Sequence, residues 1–252
     1  MTMNTEPEAL LSHLPNSDGS ATFSFAGYTV VGAVNGPIEA QRRDELPEEA
    51  VVDVIVRPAA GVGGTRERHL ESLIQSTLRQ IILVDNFPRT LIQIVLQVIA
   101  TPENEYVNSK IVQPGSNLPI LPALVQTAVL SLLSAALPLT TTLTSTSLAI
   151  IADGQSKKIV PSPSPREIQA SESFHVLSFT SHDELILVES EGHFTMKEWD
   201  DVYTAARRQC CPSPSTNDGD TDMDDANVAG VNWKQFTRST LEAKVASDLH
   251  WK

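Results

Sequence analysis

The sequence predicts an α+β fold with mixed sheets and packed helices, and three patterns carry that prediction. First, residues 51–99 contain a β-branched run, a glycine-rich loop, a helical period and a second aliphatic run, the order typical of a β-α-β unit. Second, Asp153-Gly154 separates two short apolar runs, and this dipeptide favours an antiparallel hairpin. Third, 41% of the 252 residues are hydrophobic but only 5% are aromatic, so we expect an aliphatic core, typical of a soluble α/β or α+β protein.

The central stretch is predicted as a strand, a turn, a helix and a second strand. Val51–Val56 is a β-branched run typical of a buried strand, and Arg57-Pro58 ends it because proline has no amide hydrogen to donate. The glycines that follow allow the chain to turn, and Thr65 is predicted as the helix N-cap. Apolar residues recur at three- and four-residue steps up to Ile82, and the second strand follows at 91–99. The opposite face of the helix is polar and carries Glu67, Glu71, Gln75 and Arg79.

The chain before this unit contributes strands and a charged loop. Residues 1–17 are polar and are predicted as a flexible N-terminus, which leaves 18–210 for the folded domain. The stretch Glu39–Glu49 is charged, and its arginines, Arg42 and Arg43, are expected to face water beside acidic neighbours. Two strands and the turn that ends the second are predicted before it: Ala21–Ala26, Tyr28–Val34 and Asn35-Gly36-Pro37.

The chain after this unit alternates helices and strands. Residues 101–117 are predicted as a loop, and 118–137 as a helix that is apolar almost all round and therefore covered on several sides. Pro161–Pro165 is predicted as an extended connector, because its prolines disfavour regular structure. The remaining elements are a Thr/Ser connector at 140–146, strands at 148–152, 157–160, 174–179 and 185–188, and an amphipathic helix at 195–209.

The C-terminal part is predicted as two unlike segments. Residues 211–230 are acidic and of low complexity, and they have too little apolar surface to offset the entropy of ordering. We therefore predict a disordered insertion there. Residues 231–252 recover a helical pattern that includes Trp233 and Phe236, and this segment is expected to dock on the domain or on a partner.

Charge and cysteine content exclude several classes of protein. A net charge of −13 argues against a free-standing nucleic-acid-binding protein, although the aspartates crowd into the acidic insertion and leave room for basic patches elsewhere. The only cysteines, Cys210 and Cys211, are adjacent, so there is no disulfide framework or zinc knuckle, which fits a reducing compartment. The N-terminus does not resemble a signal peptide, and no apolar run reaches the roughly 20 residues that span a bilayer. We expect a cytosolic or nuclear protein without membrane contact.

The sequence contains no motif of a known catalytic type. Residues 61–66 are glycine-rich but lack the lysine of a Walker loop, and no G-x-S-x-G elbow occurs. None of the six histidines has the i, i+4 or H-E-x-x-H spacing of a metal site, and His175 is predicted as a hydrogen-bonded core residue. Four carboxylates could pair in space as a catalytic acid and base, but turns and a solvent-facing strand edge explain their positions better. They are Asp153, Asp183, Glu184 and Glu189.

Arg66 permits two interpretations from the residues alone. Free amides and the helix dipole favour anions at a helix start, so its guanidinium could help to bind a phosphate. Alternatively, it pairs with a nearby carboxylate such as Glu67 or Glu71. Both interpretations stay open at this point.

A series of short motifs resembles the RNase PH family. The motifs are Gly19-Ser20-Ala21, Gly27-x-Thr29, Gly36-Pro37-Ile38-Glu39, Arg57-Pro58-Ala59, Thr65-Arg66-Glu67 and Phe87-Pro88-Arg89. The order of predicted strands and helices extends the resemblance to about Gln209. Within the family, the chain most resembles the small, single-domain ring subunits of the eukaryotic RNA exosome, of fungal type. The resemblance implies the RNase PH fold, which is similar to domain 2 of ribosomal protein S5.

The same resemblance implies that two sites of the active members are missing. Active members degrade RNA 3′ to 5′ with phosphate as the nucleophile, bound by a G-G-T-R motif, but the matching region Val112–Leu121 has no arginine. Gly63-Gly64-Thr65-Arg66 has those letters but precedes an earlier helix. Active members also carry two aspartates where Ser162–Ile168 has none. Because the transition state then lacks its stabilising groups, we predict an inactive relative with no catalytic residue, metal or cofactor.

The resemblance finally implies a role in guiding RNA. Arg66 matches an arginine that grips the RNA backbone in active relatives, and Arg68 lies close enough to assist. The implied partners are other RNase PH-like subunits in a hexameric ring, cap subunits, an associated catalytic nuclease and single-stranded RNA. The implied locations are the nucleus, nucleolus and cytoplasm. Two alternatives stay open: an active phosphorolytic or metal-dependent 3′-5′ exoribonuclease, and a homo-oligomeric RNA-binding module.

Overall fold

The computed structural model describes residues 6–102, 117–153, 156–211 and 232–250. The strands are Glu8–Leu11 (β1), Gly19–Phe25 (β2), Tyr28–Glu39 (β3), Val51–Arg57 (β4), Thr90–Ala100 (β5), Leu143–Asp153 (β6), Ser156–Pro161 (β7), Ser171–Thr180 (β8) and Leu185–Gly192 (β9). The helices are Thr65–Ile81 (α1), Leu121–Ser134 (α2), Pro165–Ala170 (α3), Met196–Cys210 (α4) and Trp233–Asp248 (α5).

The strands form two sheets, and the predicted β-α-β unit lies at one edge of the first. The first sheet has the order β1-β2-β3-β5-β4, and only the β4–β5 pair is parallel. Helix α1 makes the crossover between these two strands and buries its apolar stripe, as its three- and four-residue period requires. The buried positions of that stripe are Leu70, Ile74, Thr77, Leu78 and Ile81. The prediction of this unit is confirmed.

Helix α2 lies between the two sheets. It packs against strands of the first sheet and against β6 and β8 of the second, and nearly all of its residues are buried, including Gln126 and Thr127. Close approach to β3 depends on Gly32, where an added Cβ would lie 2.3 Å from Ser131 Oγ. Gly19 permits the same approach of β2, because a Cβ there would lie 2.4 Å from the Ala135 nitrogen. The helix predicted as apolar all round is therefore the shared middle layer.

The second sheet is antiparallel and has the order β7-β6-β8-β9. Strands β6 and β7 pair in register from Leu148 opposite Pro161 to Asp153 opposite Ser156, which confirms the predicted hairpin, although residues 154–155 of its turn lie outside the described residues. Helix α4 packs on β6 and β8, and Thr195 is its N-cap, accepting a hydrogen bond from the Glu198 amide at 3.4 Å. The amphipathic helix at this position is thereby confirmed.

The polar face of α1 covers the outer edge of β4. Glu71 Oε1 accepts a hydrogen bond from the Val56 amide at 2.9 Å, and Gln75 Nε2 donates to the Val52 carbonyl at 2.7 Å. An edge strand otherwise presents unpaired amides and carbonyls to solvent. These residues, which the sequence shows only as the polar face of a helix, therefore protect a sheet edge.

Two predictions in the N-terminal part are wrong. The flexible segment 1–17 contains β1, because Glu8–Leu11 pairs antiparallel with β2 from Glu8 opposite Ser24 to Leu11 opposite Ala21. The second predicted strand does not end at Asn35-Gly36-Pro37 but continues to Glu39 as β3. A register shift between Asn35 and Ile38 absorbs the irregularity, as a β-bulge does.

Several predicted boundaries also need correction. The N-cap of α1 is Gly64, whose amide donates to Glu67 Oε2 at 2.6 Å, so Thr65 is the first helical residue. The helix predicted at 118–137 is a short 3-10 turn followed by α2, and β6 begins at Leu143 inside the predicted Thr/Ser connector. The proline-rich connector ends in α3, because Pro165 fits the first turn of a helix and Ser164 caps it with Glu167.

Helix α5 docks on the domain itself. Its Trp233 and Thr237 are buried, and Thr237 Oγ1 accepts a hydrogen bond from Gln126 Nε2 of α2 at 3.1 Å. Lys234 Nζ donates to Asp183 Oδ1 at 2.9 Å in the turn between β8 and β9. Of the two docking alternatives, the structure shows the first. The predicted disordered insertion falls almost wholly outside the described residues.

Candidate functional site

The two predicted RNA-binding arginines lie in the first two turns of α1, next to the end of β4. Arg66 is half-buried and Arg68 is exposed. Because residues two apart on a helix do not face each other, the two side chains leave α1 in different directions. The structure therefore brings them to one end of the β-α-β unit but not to a single point.

Arg66 is directed toward the segment that leads into α2. Its Nη1 donates to Asn117 Oδ1 at 3.4 Å, across 51 positions of sequence. The carboxylates proposed as alternative partners, Glu67 and Glu71, accept hydrogen bonds from the backbone amides of Gly64 and Val56. Asn117 was not identified from the sequence, because no local pattern shows that the start of α2 reaches the start of α1.

The opposite end of the same unit has a different charge arrangement. Each of three arginines there forms an ion pair with an acidic residue of the loop between β3 and β4. The pairs are Arg43 with Asp44 at 3.3 Å, Arg89 with Glu45 at 3.4 Å, and Arg79 with Glu49. Arg43 is thus paired as predicted, whereas Arg42 is exposed and forms no ion pair among the described residues.

The two regions that should hold phosphate and aspartates in an active relative meet at one cleft. The cleft is small, with a cavity volume of about 30 Å³, and receives Pro119 from the first region and Ser162, Pro163 and Ile168 from the second. Residues 112–116 of the first region lie outside the described residues. Among the described residues that line the cleft, none carries a charge, and Trp233 of α5 closes part of it.

His175 is a core residue, as predicted. It is fully buried, Nδ1 lies 2.8 Å from Ser190 Oγ and Nε2 lies 3.0 Å from Ser173 Oγ, and its ring meets Phe194 edge to face at 4.7 Å. Burial lowers the pKa of this imidazole, because the charged form loses its hydration. Burial therefore favours the neutral form of this histidine.

Asp183, Cys210 and Cys211 have structural rather than chemical roles. Hydrogen bonds from the Cys211 thiol and from Lys234 lower the pKa of Asp183, which ties the β8–β9 turn to α4 and α5. Burial raises the pKa of Cys210 to about 12 and that of Cys211 to about 11, so neither thiol is a nucleophile near neutral pH. Within the described ranges, no group of three His, Cys, Asp or Glu residues could hold a metal ion.

No helix in the described parts of the chain has the length and apolar character needed to cross a bilayer.

Comparison with known proteins gives consistent relatives. Residues 8–138 match the model of the RNase PH group, described as the 3′ exoribonuclease family, domain 1. The chain is 30% identical over 209 residues to the exosome complex component RRP46 of Saccharomyces cerevisiae. The aligned region covers 81% of this chain and 89% of that protein. It is 41% identical over 86 residues to the exosome complex component rrp46 of Schizosaccharomyces pombe, or 34% of this chain and 38% of that one.

Solved structures show the same fold. The crystal structure of rice Rrp46 superposes with a TM-score of 0.67 at 23% identity, covering 79% of this chain and 86% of that chain. A chain of the Archaeoglobus fulgidus exosome with RNA bound to the active site superposes with a TM-score of 0.62 at 14% identity, covering 81% and 84%. At these identities the likeness concerns the α+β architecture.

Proposed function

Because this chain belongs to the 3′ exoribonuclease family of RNase PH proteins, whose model it matches over residues 8–138, we propose that it is a non-catalytic ring subunit of an RNA exosome core. In this role it helps to form the channel that threads single-stranded RNA toward a nuclease carried by another subunit. Its partners are other RNase PH-like subunits of a hexameric ring, cap subunits and that nuclease. The yeast relative at 30% identity, itself an exosome complex component, supports this assignment.

The absence of charge among the described residues that line the cleft carries the non-catalytic part of the proposal. Phosphorolysis brings a phosphate anion against a phosphodiester, so its transition state needs cationic groups or a metal to stabilise the accumulated negative charge. Pro119, Ser162 and Pro163 occupy positions where such groups are expected, and none of them can supply that stabilisation. The cleft therefore supports a structural role over the alternative of an active exoribonuclease.

The arginines at the start of α1 carry the RNA-guiding part. Guanidinium groups bind phosphates through charge-assisted hydrogen bonds, and contacts to phosphate position a strand without reading its bases. Arg66 and Arg68 provide such groups at one end of the molecule, although the whole chain has a net charge of −13. RNA passing this end would be held independently of its sequence.

A nuclease assay tests the non-catalytic assignment. The purified chain, alone and in a ring with its partner subunits but without the associated nuclease, is incubated with single-stranded RNA and either phosphate or Mg²⁺. We expect no nucleoside diphosphates and no hydrolysis products, while an active phosphorolytic family member provides the positive control. Phosphate-dependent release of nucleoside diphosphates by the isolated chain would falsify the assignment.

Charge reversal in the assembled ring tests the RNA-guiding role. The double variant Arg66→Glu, Arg68→Glu is expected to weaken binding of single-stranded RNA strongly, because two favourable phosphate contacts become repulsive. Arg43→Glu, at the opposite end of the β-α-β unit, is the matched control and should leave RNA binding unchanged. Unchanged binding of long RNA by the double variant contradicts the threading role.

The assembly and its location have separate tests. Affinity purification followed by native mass spectrometry is expected to recover a hetero-oligomeric ring, whereas a homo-oligomer of the chain alone would contradict the exosome assignment. Fluorescence imaging of the tagged chain is expected to show it in the nucleus, nucleolus and cytoplasm.

A further inference from the structure

We propose that Arg57, the last residue of β4, is a further phosphate contact that acts beside Arg68 on the same RNA strand. The proposal rests on the proposed RNA-guiding function and extends it to a residue on a different element. The contact would be made to the phosphodiester backbone, so it would not depend on base sequence.

The contact between β4 and α1 determines the relative position of the two arginines. The Val56 amide, adjacent to Arg57, donates to Glu71 Oε1 at 2.9 Å. Glu71 follows Arg68 by three residues, and residues three apart share one face of a helix. The side of α1 that carries Arg68 is therefore turned toward the end of β4 that carries Arg57.

The end of β4 is held in place by two further contacts. Gln97 Nε2, from β5, donates to the Pro58 carbonyl at 3.0 Å. The glycine-rich loop folds back over the same point, because a Cβ added at Gly63 would lie 3.8 Å from the Val56 oxygen and 3.9 Å from Pro58 Cδ. A side chain on such a fixed strand end loses less entropy on binding than one on a mobile loop.

Among the described residues, no ion pair compensates the charges of Arg57 and Arg68. Both side chains are exposed, and within the described parts of the chain neither forms an ion pair within 4.0 Å. Asp53, the nearest acidic residue on the same face of β4, accepts a hydrogen bond from Gln93 Nε2 at 3.3 Å. At the opposite end of the unit, Arg43, Arg79 and Arg89 have acidic partners, and Arg42 forms no ion pair among the described residues, so less of the positive charge there is available.

A salt titration of RNA binding tests the proposal. The Kd of the assembled ring for a single-stranded RNA oligonucleotide is measured from low to high salt, with the ring containing either the unchanged chain or Arg57→Gln. Loss of one phosphate contact should reduce the slope of log K against log salt by about 0.7 and weaken binding about fivefold at 0.1 M salt. The loss should be equal for adenine-rich and uracil-rich oligonucleotides. Arg57→Lys should retain most of the slope, because lysine keeps the charge.

Control variants separate this proposal from the broader function. Arg43→Gln, which removes a paired arginine at the opposite end, should change neither affinity nor slope. If Arg57→Gln changes neither quantity while changes at Arg66 and Arg68 weaken binding, the Arg57 contact is wrong and the RNA-guiding function stands. If none of these arginines affects binding, the RNA-guiding function itself is wrong. Equal losses in Arg57→Lys and Arg57→Gln would also overturn the charge contact proposed for Arg57.

Discussion

The indole of Trp233 on α5 meets the ring of Phe25 on β2 edge to face, with 4.9 Å between the ring centroids and an interplanar angle of 82°. Phe23 and Phe236 lie within 6.2 Å of the same indole and complete an aromatic cluster between the first sheet and the C-terminal helix. Such pairs are among the more stabilising contacts between side chains, beyond the area that they bury. The C-terminal helix is therefore part of the domain.

Replacing the indole should measure how strongly α5 is held. We expect Trp233→Ala to lower the free energy of unfolding by about 3–5 kcal/mol, because a large buried ring is replaced by a cavity. Chemical denaturation followed by circular dichroism measures the change. Leu249→Ala, near the other end of α5 where the side chain is 48% exposed, should change it by less than about 0.5 kcal/mol. Equal effects of the two substitutions would contradict the docking of α5 through its N-terminal half.

The contact between β3 and α2 predicts a strong effect of a single methyl group. Gly32→Ala places a Cβ 2.3 Å from Ser131 Oγ and 2.9 Å from Thr127 Cγ2, so these two side chains must rotate or the strand and helix must move apart. We expect a loss of about 1–3 kcal/mol or more in the free energy of unfolding. Gly63→Ala is the matched control, because the nearest atoms lie 3.8 Å away. Adding Ser131→Ala to Gly32→Ala should restore part of the lost stability. An unchanged free energy of unfolding in Gly32→Ala would show that the two layers are not closely packed.

The buried imidazole predicts that stability declines in mild acid. Because the pKa of His175 is lowered in the folded state, the unfolded chain takes up a proton near pH 6.5 that the folded chain does not. The free energy of unfolding therefore falls as the pH drops below about 6.5, and this group contributes up to about 1.4 kcal/mol per pH unit to the decrease. His175→Gln, whose amide can bond the same serines, should show a smaller decline between pH 7 and pH 5. Parallel declines in the two proteins would rule out this titration.

The edge of β4 provides a local test by hydrogen exchange. Glu71→Ala removes the acceptor of the Val56 amide, so this amide should exchange faster, and stability should fall by about 1–3 kcal/mol. Glu71→Gln keeps a carbonyl oxygen in place and should retain most of the protection. Ser72→Ala, at an exposed position of the same helix, is the control. Unchanged exchange at Val56 in Glu71→Ala would show that the helix does not protect this edge.

Elements in which the hydrophobic pattern repeats several times could be predicted from the sequence. Helix α1, with apolar positions through Ile81, and its two flanking strands have enough repeats to separate a period of 3.6 from a period of 2. Strand β1 has only four residues, which is too short for that distinction, and its pairing with β2 is a tertiary effect. The sequence predicts a connector where β6 begins, because Thr and Ser residues usually indicate a loop. In the fold, Thr144 and Ser145 are buried in the strand.

The candidate site was partly predictable for a similar reason. The helix start left two interpretations of Arg66 open, and only the resemblance to RNase PH proteins implied RNA-binding roles for Arg66 and Arg68. Asn117 and Arg57 depend on how separate segments meet. Helix α3 is different, because Ser164, Pro165 and Glu167 form a capping pattern that indicates a helix start. The neighbouring prolines favoured an extended connector instead. The distances between residues of different elements are set by tertiary packing, so they cannot be predicted from a local sequence pattern.

The position of α2 has a consequence for how the molecule comes apart. This helix contributes apolar side chains to both sheets at once, and few of its residues touch water. When it leaves, each sheet loses a large part of its covering and exposes apolar side chains to solvent, so neither sheet is stable without the other. The two sheets should therefore melt together in one transition, as a single cooperative unit.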